Sequence, residues 1–337
     1  MELPAAPPRL EGRARARGRE HDRRQAVGAD ATLHPRAGGL RRAPAARRGE
    51  SGRRSGDVGE ALVDHHDVDG IAFTGSVATG SRIAERAARR VARVNLELGG
   101  KDPFIVCADV ADEIEIAARG GAWAAFLNAG QVCTSAERFY VERSVYEPFV
   151  EAFVEHTRTL NVGDPFDPTT DVGPMVSAQQ RAKAAAHLEE AVGAGATLLV
   201  GGEGRDKGHF LTPAVLTGAP ATTKVLREET FGPVAPIVPV DSLDEALALA
   251  NDSPYGLGAN VYTRDLATAV RCMRELRAGT VWINDPLTDN DAGPFGGMKR
   301  SGLGRELGSE GLEAFQETKH VHLETRLEIK EWWYPYG

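Results

Sequence analysis

The chain has 337 residues, a net charge of −8 and three cysteines. That length allows two or more domains around a substantial core, while Cys107, Cys133 and Cys272 are too scattered for a disulfide framework and point to a reducing compartment. No apolar run approaches the roughly 18 residues of a membrane helix and no apolar signal core follows Met1, so the sequence reads as cytoplasmic, with no membrane partner.

The charge is unevenly spread. Residues 1–56 hold 14 Arg and 6 acidic residues, 14 − 6 = +8, which leaves −8 − 8 = −16 on residues 57–337. This leader is rich in Arg, Ala, Gly and Pro and lacks Phe, Trp, Tyr, Ile and Lys. It cannot bury enough apolar surface to offset its ordering entropy, so disorder is expected. Its lack of aromatics argues against a nucleic-acid arm, and its acids argue against a transit peptide. The preferred reading is a non-native leader, such as an out-of-frame translation.

From Asp57 strands and helices alternate. Ile71–Thr74 reads as a buried strand that turns at Gly75-Ser76 into a helix ending near Val91. Val94–Leu98 and Pro103–Cys107 read as strands, and a helix over 112–128 leads to Cys133. Helices over Val145–Leu160 and Ala178–Gly193 precede a strand at Thr197–Val200. Next come the strand Ala235–Val240, the helix Leu243–Ala250, the strand Ala259–Tyr262, the helix Leu266–Leu276 and the strand Thr280–Asn284. This alternation predicts an α/β fold with largely parallel sheets.

Two short stretches carry chemistry. Leu96-Glu97-Leu98-Gly99-Gly100-Lys101 precedes Asn128-Ala129-Gly130-Gln131-Val132-Cys133, with 133 − 97 = 36 residues between the carboxylate and the thiol. Each alone is a weak signal. In this order they describe a thiol nucleophile and a carboxylate base. The bland alternatives are a small buried apolar cysteine, which suits Cys107 and Cys272, and a strand-end glutamate in a surface ion pair. Gly75-Ser76-Val77-Ala78-Thr79-Gly80 follows a strand and opens a helix, so its amides and dipole suit a phosphate. His320 and His322 alternate near the C-terminus but have no third ligand, so no metal site is expected.

Residues 57–337 resemble the NAD(P)-dependent aldehyde dehydrogenase superfamily. The resemblance is carried by those two stretches and by Phe73-Thr74-Gly75-Ser76, Glu228-Glu229-Thr230-Phe231-Gly232-Pro233, Asn251-Asp252-Ser253-Pro254-Tyr255-Gly256-Leu257-Gly258 and Pro294-Phe295-Gly296-Gly297-Met298-Lys299-Arg300-Ser301-Gly302. It implies an aldehyde dehydrogenase-like α/β fold. Its parts would be a partial doubly wound cofactor domain over 57–98, a catalytic α/β domain over 99–303, and a 304–337 segment returning to the cofactor domain and an oligomer interface. It also implies an aldehyde substrate oxidised to the acid, with Cys133 as nucleophile and Glu97 as base. The implied cofactor is NAD, with NADP open. It would be held by Gly75, Ser76, Val77, Ala78, Thr79, Gly80, Leu98, Glu229 on the ribose, and Phe231 beside the nicotinamide.

The chain departs from the family in three places. No counterpart is seen for the family's first cofactor-domain strands, its adenosine-ribose lysine or its oxyanion-hole asparagine. A truncated, non-catalytic homologue is therefore the alternative function. Ser135 stands where the family usually has Ala, Gly, Cys or Asn. Asp285, Asp289 and Asp291 stand in the stretch that the resemblance places at the substrate entrance; a solvated acidic loop is the bland reading, and an acidic mouth would favour a polar or cationic aldehyde. The tail, alternating at His320–Glu324 and ending Trp332-Trp333-Tyr334, is expected to form a strand that joins a homo-oligomer.

Overall fold

The computed structural model describes residues 31–32, 55–205 and 207–335. The disorder expected for 1–56 lies outside them except at two points. Ser55 and Gly56 open a helix, Ser55–Asp64, and Ala31–Thr32 forms a two-residue strand.

The strands are β1 (Ala31–Thr32), β2 (Gly70–Thr74), β3 (Arg93–Glu97), β4 (Asp102–Val106), β5 (Ala136–Glu142), β6 (Thr197–Val200), β7 (Ala214–Thr217), β8 (Val234–Val240), β9 (Gly258–Tyr262), β10 (Thr280–Ile283) and β11 (Gly302–Leu303). They form a smaller sheet in the order β1-β2-β3-β11 and a seven-stranded sheet in the order β10-β9-β4-β5-β8-β7-β6. β1 pairs antiparallel with β2 at Ala72 and Phe73, satisfying edge groups that would otherwise face solvent. In the larger sheet only β6 runs antiparallel to its neighbour.

The larger sheet is covered on both faces, as parallel strands require. Alternate residues of β4 show it. Phe104 and Val106 enter a cluster with the helices Ile114–Phe126 and Arg143–Thr159. Ile105 and the following Cys107 enter a second cluster with Leu243–Asn251 and Leu266–Glu275. Cys272 lies in the same second cluster, so both cysteines are buried structural residues. Local chemistry sets the helix starts: Ser76, Ser177, Ser242 and Asp265 each accept a backbone N–H from the residue three further on.

Two strands of the larger sheet were not legible in the sequence, β5 and β7. β5 reads Ala-Glu-Arg-Phe-Tyr-Val-Glu, too charged for a central strand. Its Glu137 and Arg138 are nevertheless 2% exposed, because Lys101 pairs with Glu137 and the carbonyls of Lys101, Leu249 and Ala250 accept from Arg138. The stretch 320–324, expected to pair with the sheet of a second copy, joins neither sheet of its own chain and is exposed. Its main-chain groups therefore remain open to pairing. Among the described residues no helix is long and apolar enough to cross a membrane.

Phe139 on β5 is fully buried, with ring centroids 5.0 Å from Phe104 and 5.2 Å from Phe153. Phe139→Ala should cost about 3–5 kcal/mol of folding stability. Urea denaturation checks this, and a loss under about 1 kcal/mol would show that the cluster is not the core it looks to be.

Candidate active site

Glu97 closes β3 and is 3% exposed, and neither carboxylate oxygen has a hydrogen-bond partner among the described residues. The segment that covers it belongs to the Pro294–Gly302 motif. Gly302 pairs with Glu97 across β11, and a Cβ on Gly296, at φ +154, would stand 2.5 Å from Glu97 Oε1. Burial pushes the carboxyl up to about 8, with Glu306 adding repulsion and Arg305 offsetting part of it. The surface ion-pair reading of Glu97 is thereby excluded.

Cys133 sits on the turn between the helix Ile114–Phe126 and β5. Asn128, Ala129 and Gly130 take left-handed φ values of 53, 57 and 69 in succession, a strained run that the surroundings must hold. Gln131 holds it: its Nε2 donates to Asn128 O at 2.9 Å and its Oε1 accepts from Val176 N at 2.7 Å. A Cβ on Gly130 would overlap the Gly232 carbonyl. The unusual Ser135 is buried, and its hydroxyl donates to Ala124 O at 3.1 Å, tying the turn back to the helix.

The thiol of Cys133 is half-buried. Burial pushes it up to about 12, and the Asp102, Glu97, Glu229 and Asp289 carboxylates add to the rise. The resting sulfur is therefore a neutral thiol at neutral pH.

Gly99 and Gly100 join the two halves of the site. A Cβ on Gly99 would overlap Glu229 Oε1, and one on Gly100 would lie 2.6 Å from the Cys133 carbonyl. Gly100 N donates to Glu229 Oε1 at 3.2 Å. Burial and the neighbouring Glu137 push the Glu229 carboxyl up to about 7. Phe231 follows at φ 52, half-buried. Glu97, Cys133, Glu229 and Phe231 thus gather around one crossing of the chain.

Gly75-Ser76 precedes the helix Val77–Ala88. Gly75 N donates to Glu97 O at 2.9 Å, which brings this turn against the end of β3. The Ser76 hydroxyl caps Thr79 N at 3.2 Å, so the first-turn amides of Val77 and Ala78 face outward from the helix start. Gly80 lies within the helix and faces Leu98, whose side chain a Cβ would overlap; it brings helix and strand together instead of joining the turn.

Of the mouth residues, Asp289 alone is among the leading charges acting on the Cys133 thiol, whereas Asp285 acts on Tyr262. Sequence reasoning missed several residues of the site. The buried Lys101–Glu137 pair was one, though Lys101 stood inside a quoted motif. Others were Asp102, Arg305 and Glu306, and Ser301, whose hydroxyl donates to Gly99 O at 2.7 Å and whose carbonyl accepts from Leu98 N at 2.8 Å. The Gly-rich motif around Ser301 was the available signal.

The sequence profile of the aldehyde dehydrogenase family matches residues 52–321. The betaine aldehyde dehydrogenase of Brucella melitensis biotype 2 is 41% identical over 274 residues, covering 80% of this chain and 56% of that protein. The crystal structure of betaine aldehyde dehydrogenase from Staphylococcus aureus in complex with NAD+ superposes at a TM-score of 0.78 with 37% identity, over 82% of this chain and 55% of that one. A mutant aldehyde dehydrogenase from Bacillus cereus superposes at 0.75 with 41% identity, over 77% and 52%. The chain therefore spans about half the length of the relatives it matches. A match that runs through every stretch gathered around Cys133 leaves one conclusion: this chain belongs to the aldehyde dehydrogenase family.

Proposed function

We propose that this chain carries the thiol–carboxylate centre of an NAD(P)+-dependent dehydrogenase that oxidises an aldehyde to a carboxylic acid. The observation that carries the reading is a buried, unpartnered Glu97 carboxyl joined through Gly99-Gly100 to the turn of a half-buried Cys133. The Staphylococcus aureus relative holds NAD+, which supports NAD as the cofactor here, with NADP open.

The residues present fit such a group. A helix start with outward first-turn amides lies against Glu97, and a half-buried carboxylate, Glu229, rests on two glycines. Gly75, Ser76, Val77, Ala78 and Thr79 would hold the phosphates, Glu229 the ribose, and Phe231 and Leu98 the apolar faces. When bound, the oxidised nicotinamide supplies the hydride acceptor. Cys133 Sγ bonds to the aldehyde carbon, and the thiol proton ends on the carbonyl oxygen, giving a thiohemiacetal. Loss of hydride and the hydroxyl proton leaves a thioester on Cys133. Glu97 then takes a proton from the attacking water, the C–S bond breaks, the acid leaves, and the thiol is restored.

We infer further that the aldehyde is polar or cationic. Asp289 lies close enough to oppose ionisation of Cys133, and the named charges around that thiol are all negative. The exposed Leu323, Leu327, Ile329, Trp332 and Trp333 of the tail support a homo-oligomer joined through the C-terminal segment.

Cys133→Ser should abolish aldehyde-dependent NADH formation, and Glu97→Gln should slow turnover by about 10²–10⁴-fold through thioester hydrolysis. A folded wild-type chain that forms no NADH would instead make this a non-catalytic homologue. The base works only when deprotonated, so wild-type turnover should rise with pH through about 8 and the Glu97→Gln profile should lose that step. The linkage sign for stability is the opposite. A carboxyl raised above its unfolded value of 4.5 destabilises the fold progressively as pH rises towards about 8. Glu97→Gln should accordingly melt higher than wild type at pH 8.5, as scanning calorimetry would read. For the substrate, Asp289→Asn should lower kcat/KM for betaine aldehyde relative to hexanal by about threefold or more, the ratio cancelling any common effect on the Cys133 thiol. Equal wild-type kcat/KM values for the two aldehydes would remove the charge preference.

A further inference from the structure

We propose that the buried Glu137–Lys101 pair is the positioning couple of this site, fixing the Glu229–Phe231 loop against the strand that leaves Cys133 and so setting dinucleotide affinity. This rests on the functional reading above.

Glu137 and Lys101 are 2% and 1% exposed. Lys101 Nζ pairs with Glu137 Oε2 and also donates to Thr230 Oγ1 at 3.1 Å. The same carboxylate accepts two consecutive main-chain amides, Thr230 N at Oε2 and Phe231 N at Oε1, both at 2.8 Å. Those bonds fix the two peptide planes that follow Glu229. They are needed, because Phe231 stands at φ 52, a conformation a bulky residue keeps only when its surroundings hold it. Gln180 Nε2 grips the loop from the other side, donating to the Thr230 and Phe231 carbonyls at 3.0 Å each, and His187 Nδ1 lies 3.2 Å from Thr230 Oγ1.

An apolar residue is the usual occupant of such a position in a central strand. Only a carboxylate can accept both amides at once, and only a neighbouring cation lets it do so while buried. Glu137 follows Cys133 by four positions, so the nucleophile's turn and the Glu229 loop share one rigid support. Glutamine at this position presents an NH₂ that cannot accept, so either Phe231 N loses its acceptor or Lys101 and Thr230 N lose theirs together.

The test compares wild type, Glu137→Gln, Glu137→Asp and a remote control, Val240→Ala, all as the full chain. Val240 is fully buried in the opposite cluster, so it supplies a stability loss unconnected with the loop. In Glu137→Gln, amide exchange over residues 228–233 should quicken about tenfold, and the Kd for NAD+ should rise about fivefold or more. Glu137→Asp, which keeps the charge one methylene short, should fall between. Val240→Ala should leave both readouts within about twofold at a comparable drop in melting temperature. Unchanged loop exchange in Glu137→Gln, or in Glu137→Asp if the glutamine variant does not fold, would overturn the proposal. So would equal loosening in Val240→Ala. A wild-type chain that binds no NAD+ would remove the functional reading, whereas the exchange comparison would still decide the clamp.

Discussion

The crossing from β3 to β4 governs the rest of the molecule. In residues 97–102 the chain leaves one sheet and enters the other, and two of these residues have no side chain. The missing Cβ atoms let Glu229 rest on Gly99 and the Cys133 carbonyl on Gly100. Glu97 and Lys101, near the two ends of the crossing, are both buried, and Lys101 donates to Thr230 Oγ1 in the Glu229 loop. Ser301 staples the crossing from a third element by bonding to the main chain of residues 98, 99 and 256. Packing cannot shift on one side of this link without moving the other, because protein interiors tolerate little free volume.

The electrostatics follow from where that crossing puts its carboxylates. Glu97 and Glu229 are held up to about 8 and about 7, and Asp102 well above its ordinary range, in each case chiefly by burial. Such groups oppose folding once they ionise, so the site is a cost that the clustered cores of the larger sheet must cover. Glu137 is built differently: Lys101 sits against it and two amides point at it. The two buried carboxyls thus differ in their partners, since Glu97 has no hydrogen-bond partner among the described residues.

Much of this was legible in the residues. The helices over Ala178–Gly193 and Leu243–Asn251 announce themselves by a serine cap followed by an apolar period, and β4 by its run Phe104-Ile105-Val106. Cys133 and Glu97 stood out through their glycine neighbours. What stayed hidden depended on partners distant in sequence. β5 looked too charged until Lys101 and the 249–250 carbonyls met its side chains, and nothing local in Pro294–Gly302 says that Gly296 must clear the Glu97 carboxylate. The tail is legible only as a local preference: alternation at His320–Glu324 names no edge within the chain to pair with, and the stretch joins neither sheet.

A thiol held near 12 among four carboxylates is a poor nucleophile, yet the same residues are arranged to use it. The resolution lies in what the site lacks, since none of the leading charges on Cys133 is positive. Any cation brought alongside lowers the energy of the thiolate directly and screens the carboxylates that oppose it. Under the proposed function, an oxidised nicotinamide ring or a cationic aldehyde would bring such a charge, whereas a neutral aldehyde would not. The field that it met would come from those carboxyls already ionised, and burial holds Glu97, Glu229 and Asp102 above the ordinary carboxylate range.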